Sequence, residues 1–317
     1  MKNSISLKKE LNLVKSFIKN EIIEEKTISD LYKYIFNSDG KRLRAKLSLI
    51  SSSLNKRKNQ KRLKLAAVIE LLHTATLVHD DVVDESQTRR GVKSVNNLWS
   101  NAHGVLIGDY IYSKAFILMV EIGESKILQE LAKATNDISK GELIQLEALQ
   151  NTKISLEDLK AISYFKTGRL FEASAKTGAA LSGGDINFVN NISKCAKYLG
   201  ILFQIKDDLL DYSLNENIIG KPVFQDMKEG KVTYPFYFAF KNGDKNNKEK
   251  LKSYLGKNKL NINSAYKLID QLGGIKETEH LAFEYLDKAR KCANSIKNKH
   301  IREEMLKLIN SALYRKK

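Results

Sequence analysis

The stretch Leu72-His73-Thr74-Ala75-Thr76-Leu77-Val78-His79-Asp80-Asp81-Val82-Val83-Asp84, with Arg89-Arg90-Gly91 just beyond it, sets three carboxylates and two guanidinium groups close behind an apolar run. If the run is helical, Asp80 and Asp84 lie one turn apart on a shared face, about 5–6 Å apart at Cβ, a spacing that can share divalent cations. Carboxylates crowded in this way repel one another unless something positive lies between them. Mg2+ is the natural counter-ion, because a hard cation takes oxygen ligands and bridges carboxylates to phosphate oxygens. Taken alone, the run reads equally well as a solvated acidic helix end. Downstream, Asp207-Asp208-Leu209-Leu210-Asp211 repeats the pattern after another apolar run, Leu199-Gly200-Ile201-Leu202-Phe203. Two copies favour a diphosphate held through metal.

The surrounding chain reads as helical. Only 2 of the 317 residues are proline, and apolar residues recur at helical spacing, as at Leu7, Leu11, Val14, Ile18 and Ile22. The pattern predicts helices over 5–24, 43–54, 60–84, 104–122, 127–150, 156–181, 186–214, 232–241, 262–272, 275–296 and 301–314. Stops fall at Gly40, Gly91, Gly183-Gly184, Asn242 to Asn247 and Gly273-Gly274, and Ser155 followed by Asp158 has the form of a capping box. A hydrophobic content of 42% is enough for a sizeable core. No repeat or low-complexity linker separates the acidic motifs, so if both serve one site the chain cannot be divided between them. The expectation is an all-α protein with a single domain over 1–317, its two motif helices facing each other across a cavity.

The net charge of +17 suits nucleic acid, an anionic membrane surface or anionic small substrates. Lysines are spread along the chain, as in Lys245-Asn246-Asn247-Lys248 and Lys297-Asn298-Lys299, without the aromatic and basic alternation of single-strand binders. A lysine-rich solvated surface is therefore expected, and no nucleic-acid partner. Cys195 and Cys292 stand alone on apolar faces and read as reduced core thiols. The segment Met1 to Glu10 is too charged for the apolar core of a signal peptide. Val105 to Ile122, the most apolar stretch, is interrupted by Asp109, Lys114 and Glu121, which argues against a membrane span. A cytoplasmic location is the expectation.

Basic and polar residues occur where a diphosphate needs them. Gly40-Lys41-Arg42-Leu43-Arg44 falls at a loop-to-helix junction, where backbone N–H groups and the helix dipole favour anions. Arginine grips phosphate oxygens in a bidentate fork, whereas lysine acts as a point charge. His73 precedes Asp80 by two turns and shares its face, so an anion contact is at least as good a reading as a satisfied core histidine; His79 reads as structural. Lys166-Thr167-Gly168 interrupts a helical pattern, and Gln204 lies one turn before Asp207 and Asp208. Polar groups on faces that otherwise read as core need partners. A reacting cation or a phosphate would supply one, and for Thr167 local backbone bonding stays open. Finally Gly220-Lys221-Pro222, Asp226 and Gly230-Lys231-Val232-Thr233-Tyr234-Pro235 form a turn-rich segment able to close over a site.

From Gly40 to Pro235 these motifs together resemble the trans-type polyprenyl diphosphate synthases, and within them the long-chain bacterial branch of the octaprenyl type. The resemblance implies an isoprenoid-synthase-type helical bundle around a deep central cavity, a homodimer, and Mg2+-dependent head-to-tail condensation of isopentenyl diphosphate onto an allylic diphosphate such as farnesyl diphosphate. It implies that Asp80 and Asp84 bind two Mg2+ and Asp207 a third, with Asp81, Asp208 and Asp211 in support. Arg89, Lys166, Lys231 and Lys221 would hold the allylic diphosphate, and Lys41, Arg44, His73 and Arg90 the isopentenyl diphosphate. Thr167 and Gln204 would lie near the developing allylic cation.

The growing chain needs a tunnel, and each isoprene unit is about as long as a helical turn, about 5 Å. One turn before Asp80 stand the small residues Ala75 and Thr76, where short-chain relatives tend to carry aromatic groups. A long product is expected, an octaprenyl chain for quinone side chains, with Phe116, Met119 and Val120 as deeper stops and transient membrane contact at product release. The alternatives are a farnesyl or geranylgeranyl product and, on the same fold, terpene cyclisation, which needs no isopentenyl site. A catalytically silent subunit should have lost an acidic motif, and both are intact. Three departures stand out. Ala45 occupies a position that is often proline in relatives, and Phe224 and Val232 replace residues that are commonly glycine and proline in the closing segment.

Overall fold

The computed structural model describes residues 2–21, 25–37, 40–55, 60–89, 91–213, 223–257 and 259–313. Among these residues the protein is helical apart from one two-stranded hairpin. The described residues group into two compact units. One comprises Met1–Thr135, Leu170–Ser193 and Ile296–Met305, and the other Asn136–Arg169, Lys194–Ser295 and Leu306–Lys317.

In the first unit the central element is α4 (Gln60–Val83), which packs along α6 (Asn101–Ile122), α3 (Leu43–Ser51) and α1 (Lys2–Asn20). Its sequence is apolar nearly all round through the middle, as a helix covered on several sides must be. Leu65, Ala66, Ala67, Val68, Ile69, Leu71, Leu72 and Ala75 are all fully buried. They meet Ile111, Ala115, Leu118 and Met119 of α6 in one continuous core. α2 (Lys26–Asn37) also contacts α6. A short hairpin, β1 (Thr88–Arg89) and β2 (Val92–Lys93), and the single-turn α5 (Val95–Leu98) link α4 to α6. α7 (Ser125–Glu147) and α9 (Arg169–Leu181) follow in the chain.

The second unit contains α8 (Leu156–Ser163), the lower part of α10 (Ile186–Asp211), α11 (Gln225–Lys228), α12 (Tyr234–Asn242), α13 (Lys245–Tyr254), α14 (Ile262–Gln271) and α15 (Gly274–Asn294). α12 lies against α15 and α14, and Phe236, Ala239, Ile269, Ala282 and Ala289 are buried there. α16 (Lys299–Leu313) ends the described chain.

Several sequence expectations are met and others are corrected. The capping box at Ser155 and Asp158 is present with both reciprocal bonds. The helix expected over 156–181 is interrupted by a π-turn at Tyr164–Gly168, where the Arg169 N–H reaches back five residues to the Tyr164 carbonyl. α2 was not expected, although Ile28, Leu31, Tyr32 and Ile35 have the i, i+3, i+4, i+7 spacing of a helix face. α12 ends at Asn242, within the expected stop, but α13, which was not expected, starts just beyond, because the Asp244 carboxylate accepts the Asn247 N–H at 2.8 Å and caps a new helix. The hairpin escaped notice because two residues per strand are too few to show alternation. Of the two thiols, Cys195 is buried and burial pushes its pKa up, whereas Cys292 is only half-buried and is not a core residue.

Gly178 of α9 lies close against α3: a Cβ there would stand 2.5 Å from the Ser48 carbonyl oxygen. Backbone on the far side cannot give way, so Gly178→Ala is expected to destabilise the protein by about 1–3 kcal/mol. The check is the urea midpoint, which should fall with an unchanged slope.

Candidate active site

α4 delivers the first aspartate motif. The Asp84 N–H bonds to the Asp80 carbonyl at 2.8 Å, so the helical turn that sets the two carboxylates on one face is formed. Asp80 and Asp84 are half-buried, while Asp81 between them is 4% exposed. The helix then ends in a Schellman turn. Glu85 takes a left-handed conformation (φ 49°), and Ser86 and Glu85 donate to the carbonyls of Asp81 and Val82. This reversal feeds the hairpin back along the helix end, and Arg89 Nε reaches Asp81 Oδ1 at 2.8 Å. A second guanidinium bond, from Arg89 Nη2, falls on the same oxygen. Burial opposes the charge of Arg89, but the Asp81 hydrogen bond and the charges of Asp81, Asp80 and Asp84 outweigh it and raise its pKa.

The second cationic group of this unit lies at the start of α3. Arg44 Nη1 is 2.8 Å from His73 Nε2, and its guanidinium stacks over the buried ring of Phe171 at 4.8 Å from the centroid. Because a guanidinium only donates, His73 accepts at Nε2 and carries its own proton at Nδ1. A cavity of about 80 Å3 here is lined by Gly40, Arg42, Glu70, His73, Asp81 and Arg89, among others. Lys41 is exposed, and Arg90 lies outside the described residues. His79 packs against α6. Its Nε2 is 3.3 Å from Asp109 Oδ1, and its ring lies where a side chain at Gly108 would sit.

The chain-length candidates separate. Ala75 is fully buried in the α4–α6 core and Met119 is 1% exposed, whereas Thr76 is half-buried with its hydroxyl bonded to the His73 carbonyl at 2.8 Å. Phe116 and Val120 are on the exposed face of α6, at 37% and 65% exposure.

The second motif ends α10. Thr167 Oγ1 donates to Gln204 Oε1 at 2.6 Å, and Gln204 Nε2 donates to Asp208 Oδ1 at 2.9 Å. The π-turn therefore presents Thr167 to a side-chain relay rather than to local backbone. Lys166 Nζ is held by Glu142 Oε2 at 2.9 Å and Gln145 Oε1 at 2.8 Å, and Lys231 Nζ by Glu229 Oε2 at 2.7 Å. Lys166, Gln145, Gln204, Asp208, Asp226 and Lys231 all line one cavity of about 60 Å3. Asp207 is half-buried. Asp211 accepts the N–H groups of Gln225 at 2.9 Å and Asp226 at 3.1 Å and so anchors the start of α11. Phe224, just before that helix, takes a left-handed conformation at φ 57° and is fully buried against Tyr212, with ring centroids 4.9 Å apart. Lys221 lies outside the described residues.

Sequence reasoning passed over Glu142, Gln145 and Glu229 as lysine partners, and gave Asp226 no role. The signal for Asp226 was its place between two lysine turns; its charge acts directly on Asp208 and Asp211.

Donor chemistry fits a hard divalent cation, since every candidate ligand is a carboxylate oxygen. Among the described residues no three carboxylate, imidazole or thiol groups close around a common point. A cation held by one or two carboxylates, with water and phosphate oxygens completing its shell, is the usual manner for Mg2+.

The polyprenyl synthetase family model matches residues 25–272. The chain is a member of that family. Polyprenyl synthetases are transferases, and this one is 34% identical to the octaprenyl diphosphate synthase of Escherichia coli over 290 residues, 91% of this chain and 90% of the relative. Among solved structures it is similar to a decaprenyl diphosphate synthase from Rhodobacter capsulatus (TM-score 0.92, 31% identity, 99% of this chain and 98% of that one). It is equally similar to a polyprenyl synthase from Caulobacter crescentus complexed with calcium and isoprenyl diphosphate (TM-score 0.92, 32% identity, 98% and 96%). The synthetase has, among its described residues, no helix long and apolar enough to cross a membrane.

Burial first, and then the charge of Asp226, push the Asp208 carboxyl well above its usual range, and the same causes act on Asp211. A raised carboxyl means that the folded state keeps a proton that the unfolded chain has released, so stability falls as pH rises above the ordinary carboxylate range. Asp208→Asn keeps the Gln204 bond without the charge. In metal-free buffer it is expected to melt about 2–4 °C higher at pH 7, with the gain vanishing near pH 4, where the unfolded carboxyl is itself half-protonated. Melting curves across this range provide the check.

Proposed function

We propose that this polyprenyl synthetase condenses isopentenyl diphosphate head-to-tail onto an allylic diphosphate, farnesyl diphosphate being the expected primer, and makes a long all-trans chain of octaprenyl length for quinone side chains. The observation that carries this reading is that both aspartate motifs are intact in a chain that also holds a separate basic site at Arg44 and His73. The two motifs act on one site within a domain spanning 1–317, a reading supported by a family match that runs through both.

Asp80, Asp84 and Asp207 would hold the metal, about three Mg2+ in all, with Asp81, Asp208 and Asp211 in support, and Mg2+ there would supply positive charge to offset that of the departing diphosphate. Arg89, Lys166, Lys221 and Lys231 hold that diphosphate in place. Cations fixed before reaction stabilise the charge where it develops, without reorganising. Lys41, Arg44, His73 and Arg90 bind the isopentenyl diphosphate, and the Arg44 contacts to His73 and Phe171 support its preorganisation. The Thr167 hydroxyl and the Gln204 amide lie next to the allylic carbons and exclude water from them. No protein nucleophile is required, because the isopentenyl double bond attacks the allylic carbon, and the released diphosphate takes the final proton.

A homodimer completes this reading. Leu106, Ile117 and Val120 of α6 are apolar residues 67%, 53% and 65% exposed, and a second copy covering the same face would remove them from water. Phe116 and Val120 then contribute to the tunnel only through that interface, whereas Met119 lies inside the protomer. The location is cytoplasmic, with transient membrane contact as the long product leaves.

Labelled isopentenyl diphosphate should enter a chain product only with Mg2+ present, and Asp80→Ala or Asp207→Ala should lower turnover by about 10²–10⁴-fold or more. Undiminished turnover in either variant overturns the metal assignment, and a cyclic hydrocarbon from farnesyl diphosphate would indicate terpene cyclisation instead. Thr76→Phe should shorten the product seen by chromatography while the fold persists. Ala75→Phe, aimed into a closed core, should instead destabilise the protein by about 1–3 kcal/mol.

A further inference from the structure

Glu70 is a charged residue in the most apolar part of α4, 8% exposed, and neither the aspartate motifs nor the basic cluster accounts for it. Its Oε1 accepts the backbone N–H of Ala45 at 3.1 Å. Ala45 lies in the first turn of α3, where N–H groups have no partner within the helix, and Arg44 is the residue before it. One turn further along α4, His73 takes the Arg44 side chain at 2.8 Å. Two side chains one turn apart on α4 therefore hold consecutive residues of α3, one by its backbone and the other by its guanidinium. Arg42, which precedes the helix, is left-handed (φ 46°), a conformation unfavourable for a side chain of this kind and one that needs the following turn to be fixed.

Ala45 gives this arrangement a feature of its own. A proline at this position would have no N–H to donate. In this chain the donor is present, and a buried carboxylate faces it. A carboxylate near a helix N-terminus also opposes the positive end of the helix dipole.

We infer that Glu70 is a positioning residue for the isopentenyl diphosphate site: through the Ala45 N–H it fixes the start of α3, and so the direction from which Arg44 meets the phosphate. The inference rests on the proposed role of Arg44 and His73. It assigns Glu70 no contact with substrate and no part in bond making.

Steady-state kinetics on the full chain, varying each substrate separately, provide the test. Glu70→Leu is expected to raise KM for isopentenyl diphosphate about tenfold, the order expected when one hydrogen bond to a charged group is lost, with kcat and the allylic KM changed less than about twofold. Glu70→Gln keeps an acceptor and should restore KM to within about threefold of the unchanged chain. Glu70→Asp, one methylene too short to reach, should fall between them and serves if the leucine variant does not fold. An equal loss in kcat and in both KM values, or a glutamine variant as impaired as leucine, overturns the inference. Arg44→Gln and His73→Ala are measured alongside. If these leave the isopentenyl KM unchanged, the site reading itself fails, whatever Glu70 does.

Discussion

Mutual repulsion among carboxylates is the constraint around which this protein is built. Asp80, Asp81 and Asp84 end one apolar helix, and Asp207, Asp208 and Asp211 end another, with Asp226 brought beside the latter. Burying the apolar faces of α4 and α10 brings the acidic ends with them, because a helix is rigid over its length. The folded chain answers this repulsion in two ways. The middle aspartates are paired internally, Asp81 with Arg89 and Asp208 with Gln204. Asp80, Asp84 and Asp207 stay half-buried at the surface of their sites.

That division accounts for the pattern of the motif. An aspartate at the second position faces the body of the protein and steers a neighbouring group, a guanidinium in one unit and an amide in the other. Those at the first and last positions of the first motif face outward together. Asp211 breaks the symmetry, since its carboxylate caps α11 through two backbone N–H groups. The two motifs look alike in sequence, but the second spends its last aspartate on holding a turn. Phe224, strained at the head of that turn and locked by its ring against Tyr212, is the chain's own way of ordering a position where glycine would be more relaxed.

Lysines show the same economy. Lys166 and Lys231 each rest on a glutamate, an arrangement that holds a long flexible side chain in one direction before any anion arrives. On the proposed function, an incoming diphosphate would compete with Glu142 and Glu229 for these cations, and its binding would be an exchange of partners rather than the filling of an empty charge.

The helical class, the two acidic motifs, the capping box at Ser155 and the polar break at Lys166-Thr167-Gly168 were legible in the residues themselves. All are local: they depend on spacing within a few turns, which the backbone enforces wherever the chain goes. The aspartate spacing on one face, the helix stop at Asp84 and the need of Gln204 for a partner are of this kind. Tertiary structure decided the rest. It chose Arg89 as the partner of Asp81, gave the Arg44 guanidinium to His73 and Phe171, and set Asp226 against Asp208. It also buried Ala75 while leaving Thr76 half-open and turned Phe116 and Val120 outward, although all four are apolar or small in the sequence. Pairing and exposure depend on which helix comes to lie against which, a matter of packing between segments far apart in the chain, and spacing within one helix carries no record of it.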